Sequence, residues 1–101
     1  VMTVIHGNFE WDSEKNEINK LKHGLSFEQI LSVFDDPYFL EMYDAEHSTF
    51  EEDRMIGIGN LNGTVVVTTV FTERDKIRII SSRCASKNEE AFYYEQRNSD
   101  C

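Results

Sequence analysis

The sequence contains few of the residues that divide, cross-link or anchor a chain. Its 101 residues include one proline, five glycines and two cysteines. No linker-like stretch is present, so we expect one domain over residues 1–101. The cysteines, Cys84 and Cys101, are too few for the disulfide framework of a small secreted protein, and we expect both to be reduced. Apolar runs are too short to cross a membrane, and no signal peptide pattern is present. These absences predict a cytoplasmic protein without membrane contact.

Several motifs of catalysis and cofactor binding are also missing. The chain has no P-loop, no GxSxG or HExxH motif, and no CxxC pair or His/Cys spacing typical of zinc. We therefore expect no metal site and no cofactor. Any chemistry must come from ordinary polar side chains brought together by the fold.

Positive charge is scarce in the first half of the chain. The net charge is −9, which argues against unspecific binding to nucleic acids. Residues 1–53 hold 13 acidic and 3 basic side chains, whereas residues 54–101 hold 6 acidic and 7 basic ones. Salt screens exposed charges beyond about 8 Å, so a local cationic cleft is compatible with an acidic exterior. The acidic half is suited to a basic protein partner.

The first half of the sequence predicts one strand and two helices. Residues 2–11 form a short apolar-rich strand, and a helix follows that is capped by Asp12 or Ser13 and stopped by Gly24. Its apolar residues stand at helical spacing; they are Ile18 and Leu21, continued by Leu25. A second helix begins at the capping box of Ser26 and Gln29 and continues to residue 34. Residues 38–43 are compatible with either a short strand or an extended loop.

The second half predicts three strands and a final helix. Residues 55–61 and 65–72 are joined by Asn62-Gly63, a strong hairpin signal, and residues 77–84 pair back after a turn. The capping box of Ser86 and Glu89 opens a helix that runs to about residue 97. The order β-α-α-β-β-β-α predicts an α+β fold. We expect an antiparallel sheet with two helices on one face and the last helix at its edge.

The candidate functional residues are polar side chains at the ends of these elements. Lys22 and His23 close the first helix, where they either complement the helix dipole or reach toward the sheet. Arg83 alternates onto the face of Ile77, Ile79 and Ser81 if no bulge intervenes, and Arg54 shares a face with Ile56. Each arginine either pairs with a carboxylate or lines a cleft.

Other candidates have more ambiguous surroundings. His47 lies in an acidic loop, where a histidine is usually a simple surface residue. Arg74 and Arg78 flank a hairpin and are suited to solvent. Tyr93 and Tyr94 follow each other on the last helix, so at least one of them is expected in the core.

Three blocks of these residues resemble the BrnT-type toxins of bacterial type II toxin–antitoxin systems. The blocks are FEWDSEKNEINKLKHGLSFEQILSVFDDP (Phe9–Pro37), HSTFEEDRMIGIG (His47–Gly59) and RIISSRCASKNEEAFYYE (Arg78–Glu95). The resemblance implies a RelE-like fold and a small ribonuclease that arrests growth. It also implies a protein partner, the antitoxin BrnA, through which alone the chain would meet operator DNA. The family's motif positions fall on Lys22, His23, His47, Arg54, Arg83, Glu89 and Tyr93.

A metal-independent ribonuclease needs a cation at the scissile phosphate and groups that move protons. Our hypothesis is that Arg54 and Arg83 hold the phosphate, that His23 or Tyr93 moves protons, and that Lys22 adds positive potential. Arg74, Arg78 and His47 are expected to bind RNA. Two alternatives stay open, because a fold does not determine a function. One is an inactive binding module that only pairs with its antitoxin, and the other is an inhibitor of another target such as DNA gyrase.

Overall fold

The described part of the chain forms a six-stranded sheet with helices on both faces. The computed structural model describes residues 2–99, so Cys101 lies outside the described residues. The strands are β1 (Thr3–His6), β2 (Phe9–Asp12), β3 (Leu40–Tyr43), β4 (Arg54–Leu61), β5 (Val65–Glu73) and β6 (Ile77–Cys84). The helices are α1 (Ser13–His23), α2 (Phe27–Ile30) and α3 (Lys87–Asn98), and a 3₁₀ segment (Leu31–Asp35) continues directly from α2.

The sheet is mixed, which corrects the expected antiparallel arrangement. Its strand order is β1-β2-β6-β5-β4-β3, and every neighbouring pair is antiparallel except β2 and β6. Trp11 of β2 lies opposite Ile79 of β6 in the parallel register. The parallel pair arises because α1 and the remaining strands separate β2 from β6 along the chain. The α+β class is confirmed, but the predicted order lacked β1 and β3.

The predicted first strand is two strands. Gly7, with a φ of 61°, reverses the chain between His6 and Phe9, which pair in an antiparallel hairpin. A positive φ costs glycine almost nothing, so one residue is enough to divide an apolar stretch. Residues 38–43 were compatible with a strand or a loop. The strand is found, since Leu40–Tyr43 pairs with β4 as the edge strand β3.

The helix boundaries follow their capping residues. Asp12 caps α1 by accepting a hydrogen bond from the backbone N–H of Glu14 at 2.8 Å, and Gly24 ends it in the left-handed conformation. Both predicted capping boxes, at Ser26 and at Ser86, are present. The second helix is shorter than predicted, since it tightens into the 3₁₀ segment after Ile30.

The 3₁₀ segment explains one of the glycines in β4. Val33 is fully buried against the strand, and a Cβ added at Gly59 would lie 2.6 Å from its Cγ1 atom. The close approach of segment and strand therefore requires glycine at this position.

Each face of the sheet buries its own apolar cluster. The first face carries α1, α2 and the 3₁₀ segment over a core of Trp11, Leu25, Phe27, Ile30, Val33, Leu61, Val67 and Ile79. On the second face, Tyr93 of α3 packs with Ile58 and Val66. The last helix was expected at the sheet edge, but it covers part of the second face because Tyr93 buries its ring there. The remainder of that face is left open beside α3.

Helix α1 buries asparagines where its apolar spacing indicated otherwise. Leu21 is 90% exposed and Ile18 is 54% exposed, whereas Asn16 and Asn19 are buried. Asn16 accepts a hydrogen bond from the backbone N–H of Phe27 at 2.8 Å and so ties α1 to α2. Asn19 bonds both the N–H and the carbonyl of Ser82, at 3.0 and 2.9 Å. The side-chain amides of Asn16 and Asn19 therefore hold α1 to α2 and to β6 through hydrogen bonds to backbone groups of these elements.

Candidate active site

The open part of the second sheet face forms a groove of about 260 Å³, here called the sheet groove. Its floor consists of side chains from β4, β5 and β6, and one wall comes from the loop before β4. The lining residues are Asp44, His47, Arg54, Ile56, Thr68, Val70, Ser81 and Arg83. Three of the candidates from the sequence, His47, Arg54 and Arg83, are thus brought together.

A bulge in β6 determines which side chains reach this groove. Phe71 pairs with Ile79, but the preceding Val70 pairs with Ser81, so Ile80 is the extra residue. The alternation therefore shifts by one, which places Ile79 in the core of the first face and Ser81 and Arg83 on the second. Arg83 was expected to share a face with Ile77, Ile79 and Ser81 only if no bulge intervened, and the bulge leaves it with Ser81 alone. The expected face of Arg54, shared with Ile56, is confirmed by the groove lining.

Arg83 forms a bidentate ion pair with Glu89 in the first turn of α3. Its Nη1 and Nη2 atoms donate to the two carboxylate oxygens at 2.7 and 3.0 Å. Glu89 also accepts from the backbone N–H of Ser86 at 2.8 Å, as part of the capping box. Hydrogen bonding to the Arg83 guanidinium lowers the pKa of the Glu89 carboxyl to about 2. The orientation of Arg83 is therefore fixed from the start of α3.

This pair predicts an acid-dependent contribution to stability. A carboxyl whose pKa is lowered on folding stabilises the folded protein at pH values above its ordinary pKa of 4.5. This contribution to stability disappears as the pH falls toward 2. Glu89→Gln should lower the free energy of unfolding by about 1–2 kcal/mol at pH 7, since the arginine side chain is half exposed and solvent weakens the pair. Denaturant unfolding of both proteins between pH 7 and 2 should show the difference shrinking below pH 4.5.

The glutamine side chain keeps the capping contact to Ser86, so the comparison isolates the charge. Glu90→Gln, at the adjacent exposed position of α3, is the matched control and should show a much smaller pH dependence. An unchanged difference across the whole pH range would contradict the assigned ion pair.

Arg54 is held by an ion pair and by a pinned loop. Its Nε donates to Glu52 at 3.2 Å, and Glu52 accepts from Arg74 at 3.3 Å with its other oxygen. The hydroxyl of Ser48 accepts from the backbone N–H of Arg54 at 2.8 Å and donates to the carbonyl of Asp44 at 2.6 Å. The loop between β3 and β4 is thus closed on itself at the edge of the sheet groove.

His47 belongs to this same loop and is bonded to Asp44. The His47 Nδ1 atom lies 2.8 Å from Oδ2 of Asp44, and the backbone N–H of His47 donates to Oδ1 at 3.3 Å. The Asp44 side chain is only 11% exposed, whereas that of His47 is 62% exposed. A nearly buried carboxylate therefore holds an accessible imidazole at the groove.

Lys22 and His23 lie in a second depression next to the sheet groove, here called the helix-end depression. It encloses about 290 Å³ and is lined by Lys15, Ile18, Asn19, Lys22, His23, Ile80 and Ser81. Ser81 lines both cavities, so they adjoin across β6. The hydrogen bonds between Asn19 and Ser82 hold α1 against the free edge of this strand.

The remaining candidates lie elsewhere. Tyr93 is fully buried, and its hydroxyl donates to Asp36 at 2.5 Å. Burial, together with this bond to a carboxylate, raises the pKa of Tyr93 to about 12. Arg78 pairs with Glu10 at 2.6 Å, and Arg74 pairs with Glu52. None of the three lines the sheet groove.

Sequence reasoning missed three residues that define these cavities. Asp44 stands three positions before His47, and this spacing was the only available signal. Thr68 is 3% exposed in the groove floor, and its Oγ1 has no hydrogen-bond partner among the described residues. Asn19 gave no signal, because its partner Ser82 is distant in the sequence.

Residues 2–99 contain no cluster of three or more His, Cys, Asp or Glu side chains arranged to hold a metal ion. No helix within this range is long and apolar enough to span a membrane.

Comparisons with known proteins identify the family. The family model described as "Ribonuclease toxin, BrnT, of type II toxin-antitoxin system" matches residues 11–89. The crystal structure of the Brucella abortus ribonuclease toxin, BrnT, is similar in fold, with a TM-score of 0.50 and 27% sequence identity over 76% of this chain and 94% of that chain. The search of curated proteins found no match. The chain therefore belongs to the BrnT family of ribonuclease toxins of type II toxin–antitoxin systems.

Proposed function

We propose that this protein is a metal-independent endoribonuclease, that residues 1–101 act as one RelE-like toxin domain in the cytoplasm, and that a BrnA-type antitoxin neutralises it. The observation that carries the proposal is the sheet groove, where Arg54, Arg83 and His47 line one cavity. Operator DNA would be contacted only through the antitoxin, since no helix within residues 2–99 is a basic recognition helix.

The proposed chemistry is attack of an RNA 2′-hydroxyl on the adjacent phosphorus. Arg54 and Arg83 bind the phosphate and stabilise the charge that develops on it, which is the role that arginine's planar donors suit best. His23, in the adjoining helix-end depression, protonates the leaving 5′-oxygen, and Lys22 adds positive potential there. Tyr93 is left out of this scheme, because its ring is buried and its hydroxyl is bonded to Asp36.

RNA outside the reacting phosphate needs further cations. Arg74 is joined to Arg54 through Glu52, so it would extend the positive surface beyond one end of the groove. Arg78 does not line the groove and is paired with Glu10. We propose that both bind the RNA backbone only weakly, since each must exchange a carboxylate for a phosphate.

One observation favours the alternative of a catalytically weak binding module. Both groove arginines are engaged by carboxylates, Arg83 by Glu89 and Arg54 by Glu52. A phosphate must displace or share these partners, which lowers its affinity. The ion pairs therefore favour slow cleavage. If cleavage is lost altogether, the remaining activity of the protein is to bind its antitoxin.

The test is cleavage of a free, end-labelled RNA by the purified protein in excess EDTA. We expect cutting that leaves 2′,3′-cyclic phosphate ends, because the attacking oxygen belongs to the RNA itself. Cutting that requires an added divalent cation would overturn metal independence. Absence of cutting together with tight binding to a BrnA-type antitoxin would favour the binding module.

A further inference from the structure

The loop between β3 and β4 presents a histidine–carboxylate pair whose geometry is fixed by three hydrogen bonds. Asp44 contacts His47 twice, through the ring Nδ1 at 2.8 Å and the backbone N–H at 3.3 Å. The backbone of Asp44 is itself bonded to β4, since its N–H donates to the carbonyl of Arg54 at 2.8 Å. This support holds the imidazole of His47 in one orientation at the edge of the sheet groove.

The carboxylate determines which ring nitrogen carries the proton. An ionised carboxylate only accepts hydrogen bonds, so Nδ1 of His47 must be the donor. In the neutral ring, the lone pair is then on Nε2, which is available as a base. The same division of labour between a carboxylate and an imidazole occurs in the catalytic triads of hydrolases.

The surroundings of His47 are suited to a phosphate ester. The charged groups that line the groove with it are Asp44 from its own loop, Arg54 from β4 and Arg83 from β6. Thr68 adds a buried hydroxyl that no described residue satisfies. His47 lines the same cavity as both arginines, so the ribose next to a phosphate held there would lie in the cavity that His47 also lines.

We propose that His47 is the general base of the cleavage reaction and that Asp44 is its positioning residue. This inference rests on the proposed ribonuclease function and assigns a step within it. Nε2 of His47 takes the proton of the 2′-hydroxyl as the O2′–P bond forms. The P–O5′ bond breaks, and the 5′-oxygen receives a proton from His23. The products are a 2′,3′-cyclic phosphate and a 5′-hydroxyl, with no change in oxidation state.

The experiment compares Asp44→Asn and His47→Gln with the wild type in RNA cleavage. General-base loss should lower kcat by about 10²–10⁴-fold in His47→Gln. Asp44→Asn retains an oxygen for the backbone N–H of His47 but can no longer hold the ring as a carboxylate does. It should lower kcat by about 10²-fold, as expected for a misplaced catalytic group, while KM changes little.

Asp53→Asn is the matched control, because it removes the same charge from the same loop at an exposed side chain. It should cleave RNA like the wild type. A second readout does not depend on activity: ¹⁵N NMR of the neutral imidazole should show His47 protonated at Nδ1 in the wild type and at a mixture of both nitrogens in Asp44→Asn.

The outcomes separate this inference from the proposed function. Cleavage by Asp44→Asn at the wild-type rate, or a wild-type ring protonated at Nε2, would overturn the pair while leaving the ribonuclease intact. If His47→Gln raises KM and leaves kcat unchanged, His47 binds the substrate and the base role is overturned. A wild-type protein that cuts no RNA would overturn the proposed function, and the base role with it.

Discussion

Replacing Arg83 with alanine should reduce RNA cleavage by about 10²–10³-fold, which is the usual cost of removing one preorganised donor from a charged transition state. Arg83 is the residue whose geometry is most strongly fixed in the sheet groove, with two hydrogen bonds to Glu89 at 2.7 and 3.0 Å. Its side chain is 46% exposed, so losing the pair with Glu89 should cost about 1–2 kcal/mol, which lowers the melting temperature by about 4–8 °C without unfolding the protein. The measurement is single-turnover cleavage of end-labelled RNA, with thermal unfolding of the same samples.

Arg78→Ala is the matched control for Arg83→Ala. It removes the same side chain from the same strand and also breaks an ion pair, that of Arg78 with Glu10 at 2.6 Å. Because Arg78 lies outside the groove, its loss should weaken RNA binding modestly and leave the chemical step unchanged. If Arg83→Ala unfolds much more easily than Arg78→Ala while retaining cleavage, Arg83 is a structural ion pair and not a phosphate ligand.

Replacing Asn19 with alanine should lower the free energy of unfolding by about 3 kcal/mol or more, because three buried backbone groups lose their partner. Asn19 bonds the N–H and carbonyl of Ser82 and the carbonyl of Leu25. Beyond Ile79, no described strand pairs with β6 on this side, so the Asn19 amide supplies the hydrogen bonds that a neighbouring strand would make. For a domain of this size, the melting temperature should fall by about 12 °C or more.

Asn16→Ala provides the comparison within the same helix. Asn16 is also buried, but it bonds a single backbone group, the N–H of Phe27, together with the Glu28 side chain. Its loss should therefore be smaller than that of Asn19→Ala. Equal losses from the two substitutions would mean that water or a shift of α1 satisfies the edge of β6, and that Asn19 is not required there.

Part of the candidate site could be predicted from the residues, and part could not. Arg54 and Arg83 were selected as phosphate ligands and His47 as an RNA-binding residue of the acidic loop, and the fold brings all three into one groove. Strand alternation assigned Arg83 to the wrong sheet face, because a bulge at Ile80 shifts the alternation by one residue. The mixture of apolar and polar residues in β6 does not reveal this bulge. Tyr93 was selected for its hydroxyl, but its ring is a core residue of the second face.

The sequence by itself determined the local elements of this protein. Capping boxes, a left-handed glycine after α1 and the Asn62-Gly63 turn act between residues only a few positions apart, so they can be read directly from the chain. Only the tertiary structure decided which residues meet: the parallel pairing of β2 with β6, the bond of Asn19 to Ser82, and the pairing of Arg83 with Glu89 across the start of α3. Such contacts depend on how whole elements pack against one another. They join residues that are distant in the sequence or in different elements, so no periodic pattern within one segment predicts them.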